Sequence, residues 1–304
     1  MDTPVVIIIF KRPDTTQRVF DAIRQAQPKQ LFVIADGPRP ERLGEDEQCA
    51  KTRSLVEQID WECDLHKNYS DTNLGCATRV TSGLNWVFEQ VDRAIILEDD
   101  CLPHPTFFAF CQDILERYKN DSRVFSITGQ NVQFGQKRGS YSYYFSRYSH
   151  CWGWATWKRA WDYFDFEMRL WPKVKEDGVL NWVLDSPIAA EHWVKLLDWT
   201  YSGQIDSWAY RWSLSGFLQN SLHVIPNENL ISNIGFAQDS TNTHSRASKL
   251  ANIPAKALDQ PLIHPPYVVR HSDADRFTQA MVYAPKGRKA KLKALARQVT
   301  PFLR

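Results

Sequence analysis

The chain has 304 residues, of which 43% are hydrophobic, enough for one large domain or two small ones. Its 37 Lys and Arg residues nearly balance its 35 Asp and Glu residues, and the net charge of +2 gives no reason to expect a nucleic-acid partner. Six cysteines without C-x-x-C spacing, no apolar run near the roughly 20 residues that span a bilayer, and no recognisable targeting segment predict a cytoplasmic protein with reduced thiols.

The first hundred residues alternate between apolar strand patterns and helix patterns. Continuous apolar runs predict buried strands at 4–10, 31–35 and 93–97, with a shorter strand near 63–66. Helices are expected over 14–26, where Asp14 to Gln17 forms a capping-box pattern, through 54–59, and from 75 through 88. This alternation predicts the α/β class, with a mostly parallel, Rossmann-like sheet and helices on both of its faces.

The second half of the chain is richer in aromatic residues. It predicts helices over 104–119, 193–201 and 207–219, strands over 124–128 and 222–226, an edge strand over 141–145 and a last short strand over 267–269. The block 151–157 is expected to enter a helix that ends near 164, and 229–235 to be a loop that folds back. The chain is polar over 241–256, where we expect mobility. Most of the 12 tryptophans lie between residues 152 and 212, where they suit either a core or a sugar-stacking surface.

Three consecutive acids, Glu98, Asp99 and Asp100, follow the strand at 93–97 and are called the acid trio below. Neighbouring carboxylates repel each other, and a divalent cation removes that repulsion because hard cations prefer carboxylate oxygens. The alternative is a solvated acidic turn that opens the next helix. Arg12 and Asp36 also follow predicted strands, and in open α/β sheets ligands bind at that edge, so we favour a metal site in a nucleotide cleft. A dinucleotide fingerprint and a P-loop are both absent from the sequence.

A set of motifs in this order resembles the glycosyltransferases of the GT-A fold, nearest to the family 2-like bacterial enzymes and to N-acetylglucosaminyltransferase I. The similarity covers roughly residues 4–235 and rests on Phe10-Lys11-Arg12-Pro13, Asp36-Gly37, Asn73-Leu74-Gly75, Glu98-Asp99-Asp100 and the block from Cys151 to Trp157. The resemblance implies a metal-dependent, inverting hexosyl or N-acetylhexosaminyl transferase. Such an enzyme would move a sugar from a UDP-sugar to a saccharide or lipid-linked saccharide acceptor in surface polysaccharide synthesis.

The resemblance also implies roles for the donor-side residues. Asp100 would bind Mn²⁺ or Mg²⁺ that bridges the donor diphosphate, which offsets charge on the leaving group. Asp99 would hydrogen-bond the ribose, and Glu98 would meet the donor sugar. Asp36 would accept from the uracil N–H, while Arg12 would reach the ribose or a phosphate.

Several further assignments carry two interpretations each. Arg79 either touches the donor or is a solvated helix residue, and Asn73 either contacts the donor or forms a turn. His244 or His264 would supply a late metal ligand, or would be ordinary polar surface. An acceptor-side surface would contain the residues Trp152, Trp154 and Trp208, with His150 facing the same acceptor, although Trp208 and Trp212 also suit a helix face in the core.

The catalytic base is expected at Asp206, because the stretch from Asp206 to Trp212 resembles the acceptor-side element of inverting enzymes. Relatives carry an acid directly after the first Trp of this element, where this chain has Ala209. Asp206 would otherwise be a helix N-cap. The next candidates for the base are Asp162, Asp165 and Asp239.

The expected organisation is one GT-A domain over 1–285, with a nucleotide-sugar-binding half at 1–101 and an acceptor half at 102–285. Residues 286–304 form a tail with seven Lys and Arg residues and no acid. It would contact the anionic inner face of the membrane as a basic amphipathic helix, or it is a solvated terminus.

Two other functions stay open from the sequence. A nucleotidyltransferase would also use a metal and paired acids, but normally with a Gly-rich basic loop after its first strand, which residues 10–13 lack. Non-catalytic carbohydrate binding would account for the tryptophans and for Ala209.

Overall fold

The computed structural model describes residues 1–236 and 249–283. Its strands, in chain order, are β1 (Val5–Ile9), β2 (Gln30–Ala35), β3 (Asp64–Tyr69), β4 (Arg93–Glu98), β5 (Cys101–Pro103), β6 (Val124–Thr128), β7 (Tyr143–Ser146), β8 (Trp154–Trp157), β9 (Leu222–Pro226) and β10 (Ile231–Asn233). The expected ligand His244, the base candidate Asp239 and the basic tail at 286–304 lie outside the described ranges.

Helices follow β1, β2, β3, β5, β8 and β10, with five of them between β8 and β9. They are α1 (Pro13–Ala26), α2 (Glu45–Leu55), α3 (Cys76–Phe88), α4 (Thr106–Arg117), α5 (Lys158–Trp161), α6 (Trp171–Glu176), α7 (Leu180–Val183), α8 (Pro187–Tyr201), α9 (Trp208–Leu218) and α10 (Ser272–Val282). No helix within the described ranges is both long enough and apolar enough to cross a bilayer.

One eight-stranded sheet runs through the molecule in the order β3-β2-β1-β4-β8-β6-β9-β7. β1 to β4 are parallel neighbours, and β6 pairs with β9 in parallel. β8 runs antiparallel to both of its neighbours, and β7 is an antiparallel edge strand. The expected α/β architecture with a mostly parallel sheet is therefore confirmed. Strands from both expected halves of the chain share this sheet, because β4 pairs with β8.

Alternate residues of the central strands feed two cores, one on each face of the sheet. On one face Ile7 packs with Phe20 of α1 and Ile114 of α4. On the other face Val6 packs with Leu84 of α3, and Trp212 of α9 joins the same cluster. Because both faces are covered, the strands are apolar throughout, which is what made β1 and β2 recognisable in the sequence.

Three local expectations are wrong. Residues 154–157 form the buried strand β8 rather than the start of a helix, and only the short α5 follows. Residues 267–269 form no strand; the pairing there is a single bridge between Phe145 and Arg270. The expected loop at 229–235 contains β10, which pairs antiparallel with β5 directly after the acid trio.

Candidate functional site

The predicted site residues follow strands whose carboxyl ends meet at one edge of the sheet. Arg12 comes after β1, Asp36 after β2, Asn73 after β3, and Asp99 and Asp100 after β4. These four strands are adjacent and parallel, so the residues that follow them converge. This convergence was expected from the sequence, and the structure contains it.

The guanidinium of Arg12 pairs with two residues of the acid trio, Asp99 and Asp100. Its Nη1 lies 2.7 Å from Asp100 Oδ2 and 3.6 Å from Asp99 Oδ1. The backbone N–H of Phe10 donates to Asp99 Oδ2 over 3.3 Å, which ties the end of β1 to the end of β4. The guanidinium therefore offsets part of the negative charge that burial makes costly.

Two of the three acids, Glu98 and Asp99, have raised pKa values. Burial, followed by the charges of Asp100 and Asp99, raises the pKa of Glu98 to about 8. Burial and the charge of Asp100 raise the pKa of Asp99 to about 7, although the Arg12 guanidinium opposes that shift. One guanidinium is thus insufficient for three carboxylates, and the cluster favours additional positive charge.

Both carboxylate oxygens of Asp36 already accept hydrogen bonds from neighbouring groups of the chain. Its Oδ1 accepts from the backbone N–H groups of Gly37 and Leu74, both at 2.9 Å. Its Oδ2 accepts from Asn73 Nδ2 at 3.0 Å and from the N–H of Gly75 at 3.2 Å. Burial raises the pKa of Asp36, against the effect of these N–H groups. Asp36 and Asn73 together shape the loop that leads into α3.

Arg79 is neither solvated nor free. Its Nη2 donates to the carbonyl oxygen of Asn68 at 2.7 Å and to Asn68 Oδ1 at 2.6 Å, and the residue is buried. Burial lowers the pKa of this guanidinium. The Arg79 guanidinium therefore binds Asn68 near the end of β3 and is not solvated, so the solvated interpretation is wrong.

Asp206 lies at the N-terminus of α3 rather than capping its own helix. Its Oδ2 accepts from the backbone N–H of Cys76 at 2.8 Å, and its Oδ1 accepts from that of Ala77 at 3.0 Å. The N-cap position of α9 belongs to Ser207, whose side chain makes no capping bond. The local-cap interpretation of Asp206 is therefore wrong, and its contact with Cys76 joins positions 130 residues apart in the chain.

Two residues beside Asp100 were missed in the sequence. Asn233 of β10 donates from Nδ2 to Asp100 Oδ1 at 3.3 Å. A Cβ added at Gly235 would overlap the Asp100 carboxylate, so this position leaves room for it only as glycine. The only sequence signal was the clustering of Asn233, Gly235 and Phe236 after an apolar run, which is common in loops.

The three tryptophans expected at the acceptor differ in exposure. Trp154 and Trp208 are 1% and 2% exposed, and their rings stack 5.1 Å apart inside the core cluster that contains Trp212. They offer no open ring face to a sugar. Trp152 is half-buried and packs edge-on against Phe236, 5.5 Å away and next to Gly235, so it is the one of the three that lies near the acid trio.

The two described histidines of the predicted site, the ligand candidate His264 and the acceptor candidate His150, lie in different surroundings. His264 Nδ1 lies 3.1 Å from the Tyr143 hydroxyl, and its Nε2 lies 3.7 Å from Asp113 Oδ1. His150 is buried, which lowers its pKa to about 4. The ligand role expected for His264 is therefore not supported by its contacts.

No profile of a known protein family matches the chain, and no curated protein matches it. Several solved structures are similar to the chain. S. aureus TarS 1–349 is 10% identical over 76% of this chain and 59% of that chain, with a TM-score of 0.42. The mannosyltransferase PcManGT from Pyrobaculum calidifontis, in complex with GDP-Man and Mn²⁺, is 14% identical over 53% of this chain and 46% of that chain, with a TM-score of 0.37. Apo UDP-glucose pyrophosphorylase is 8% identical over 75% of this chain and 93% of that chain, with a TM-score of 0.40.

The α/β class with a mostly parallel sheet, which the sequence predicts, is confirmed by the strand order of the structure itself. This chain spans less than two thirds of the length of TarS 1–349 and of the mannosyltransferase. The particular relation to N-acetylglucosaminyltransferase I is not supported by these neighbours.

Proposed function

We propose that the chain is a cation-dependent glycosyltransferase that moves a sugar, with inversion, from a nucleotide sugar to a saccharide or lipid-linked saccharide acceptor. The observation that carries the proposal is the meeting of Arg12, Asp99 and Asp100 with the loop held by Asp36, at one edge of a parallel sheet. A nucleoside diphosphate needs positive charge at its phosphates and a shaped loop around its base. At this edge, Arg12 together with a cation bound by the acids would supply the charge, and the segment held by Asp36 would supply the loop.

A divalent cation fits the acid trio. Carboxylate oxygens are the ligands that Mn²⁺ and Mg²⁺ accept. The missing Cβ of Gly235 lets the Asp100 carboxylate pack directly against the backbone there, which fixes its position. Within residues 1–236 and 249–283, no group of three or more His, Cys, Asp or Glu side chains is arranged to hold a metal alone. The remaining ligands would then come from donor phosphates, as is usual for Mg²⁺. Bound at Asp100, the cation would offset charge on the leaving diphosphate.

Arg12 supports the proposal from the phosphate side. Its guanidinium already lies at the carboxylates, and its bidentate geometry also suits phosphate oxygens. We assign it to holding the diphosphate once the cation shares Asp100. Asp99 is assigned to the ribose and Glu98 to the donor sugar.

Asp36 is assigned to the loop rather than to the base. Four N–H groups donate to its two oxygens, which is the full capacity of a carboxylate. Accepting a uracil N–H would therefore require one of these bonds to break. Asp36 instead fixes the backbone of 74–75, where a base would pack, and UDP remains our preferred donor nucleotide.

The contacts after β1 weigh against a nucleotidyltransferase. Such an enzyme needs free basic groups in this loop for a triphosphate. Here Lys11 Nζ lies 2.7 Å from Glu45 Oε2, and Arg39 also pairs with Glu45. These two ion pairs lower the pKa of Glu45 to about 2, with the Arg39 hydrogen bond contributing most. The basic residues are thus already paired with acids of the chain.

A panel of nucleotide sugars tests the proposal. The full chain is incubated with UDP- and GDP-sugars, with Mn²⁺ or with EDTA, and nucleoside diphosphate release is measured. We expect release from at least one donor with Mn²⁺, little with EDTA, and none from Asp100→Asn. Asp113→Asn, on the exposed side of α4, is the matched control and should behave as wild type. Pyrophosphate release from a nucleoside triphosphate and a sugar phosphate would instead identify a nucleotidyltransferase.

A thermal-shift comparison addresses carbohydrate binding without catalysis. Stabilisation by UDP with Mn²⁺ supports the transferase. Stabilisation by oligosaccharides alone, with no response to any nucleotide, would contradict it.

A further inference from the structure

Four successive backbone N–H groups, those of residues 74–77, donate to just two carboxylates. Leu74 and Gly75 donate to Asp36 at 2.9 and 3.2 Å. Cys76 and Ala77 donate to Asp206 at 2.8 and 3.0 Å. The first N–H groups of a helix have no partner within the helix, so Asp206 satisfies two donors that α3 cannot satisfy itself.

The two carboxylates come from opposite halves of the molecule. Asp36 follows β2 in the donor half, whereas Asp206 precedes α9 in the acceptor half. α9 packs against α3, with Trp208 and Trp212 in the same core cluster as Val80 and Leu84. Asp206 is therefore placed at the end of α3 by a buried helix contact, and not by a flexible loop alone.

The backbone conformation of Gly75 and its lack of a side chain allow this contact. Its φ is +79°, a conformation that glycine adopts readily and other residues rarely do. A Cβ at this position would also lie 2.9 Å from Asp206 Oδ2. The backbone turn and the close approach of the carboxylate thus require the same residue.

These bonds leave Asp206 poorly suited to proton transfer. Each of its oxygens already accepts one backbone N–H at the start of α3, which occupies half of the carboxylate's acceptor capacity. A proton taken from an acceptor hydroxyl at either oxygen would neutralise the carboxylate and weaken its bonds to the start of the helix. A general base must also reach the hydroxyl directly, and here the oxygens face the donor-side loop.

We propose that Asp206 is a positioning residue that clamps segment 74–77 from the acceptor half, opposite Asp36, and that it is not the general base. The clamp fixes the start of α3 beside the donor edge, so the two halves build the nucleotide loop jointly. Its catalytic consequence rests on the proposed function, whereas the clamp itself does not.

Amide hydrogen exchange on the ligand-free full chain tests the clamp. Asp206→Ala removes both acceptor oxygens, and the N–H groups of Cys76 and Ala77 should exchange at least about tenfold faster than in wild type, because protection requires an intact hydrogen bond. Asp206→Asn keeps one acceptor oxygen, so its exchange rates at these N–H groups should fall between those of wild type and Asp206→Ala. Asp273→Ala removes an exposed acid from the first turn of α10 and should leave segment 74–77 unchanged. Unchanged exchange in Asp206→Ala would overturn the clamp.

Steady-state kinetics separate positioning from base catalysis. For a positioning residue, we expect Asp206→Asn to keep kcat within about tenfold of wild type with an unchanged pH profile, and Asp206→Ala to raise KM for the nucleotide sugar. Loss of about 10²–10⁴-fold in kcat for both variants, with KM unchanged and the acidic limb of the pH profile removed, would overturn the proposal in favour of a base. If wild type transfers no sugar, the proposed function fails while the exchange result still decides the clamp.

Discussion

Among single residues, the acid trio and the side chains that face it are the basis for proposing a cation-dependent nucleotide site. Burial and mutual repulsion raise the pKa values of Glu98 and Asp99, and Arg12 compensates only in part. The trio and Arg12 were recognisable in the sequence because each follows an apolar strand. Asn233 was not, because its contact with Asp100 joins positions 133 residues apart and no local pattern encodes such a pairing.

Gly235→Ala tests whether the space beside Asp100 matters. The added Cβ would overlap the Asp100 carboxylate and should displace it, so we expect at least tenfold weaker binding of UDP in the presence of Mn²⁺. Titration calorimetry measures this affinity. Gly139→Ala is the control for a glycine substitution without a clash, because its added Cβ meets no atom within 4 Å. Equal affinity in wild type and Gly235→Ala would show that Asp100 does not need this space.

At the scale of elements, the sequence predicted the sheet better than the aromatic region. β1, β2 and β4 contain continuous apolar runs, whereas β6 contains Ser126 and β9 contains His223, and the structure contains all five. β8 was missed because Trp154 to Trp157 is buried on both faces, and a short buried strand has no alternation that separates it from a helix. β5 and β10 were missed because three-residue strands depend on their partner and not on local propensity.

Trp208→Ala tests whether the tryptophan cluster is core. Trp208 is 2% exposed and stacks on Trp154, so its removal should leave a cavity and cost about 3–5 kcal/mol of unfolding free energy. Urea denaturation measures the cost. Trp182→Ala, at a position that is 75% exposed, should change the unfolding free energy by less than about 0.5 kcal/mol. Comparable losses from the two variants would contradict the core assignment.

In the molecule as a whole, one sheet joins strands from the first hundred residues with strands from the later part of the chain, so both parts contribute to a shared interior. His150 and His223 are buried residues of the later part. Burial lowers the pKa of His223 to about 3, and His223 Nδ1 lies 2.7 Å from Ser126 Oγ. A sequence does not reveal such histidines, since burial of β9 on both faces depends on helices from distant parts of the chain.

The burial of His223 predicts a pH dependence of stability. Its pKa is 6.5 in the unfolded chain and about 3 in the folded one, so the unfolded state binds the extra proton between these values. The contribution of neutral His223 is complete above pH 6.5 and is lost as pH falls, by up to about 3 kcal/mol at pH 4. Buried Asp275, whose pKa burial raises to about 6, titrates in the opposite sense.

A comparison of wild type with His223→Gln isolates this effect, because all other groups titrate in both proteins. The difference in unfolding free energy from urea denaturation should shift in favour of the variant as pH falls from 7 to 4. A difference that is constant over this range would show that His223 accepts a proton in the folded state.

A cation-dependent nucleotide site is tested by calorimetric titration of UDP into the full chain, with Mn²⁺ and again with EDTA, for wild type and Asp100→Ala. We expect binding by wild type with Mn²⁺, little binding with EDTA, and little binding by Asp100→Ala under either condition, while the circular dichroism of the variant stays that of the folded protein. Binding of equal affinity with and without the cation, or in Asp100→Ala, would contradict a cation-dependent nucleotide site at the end of β4.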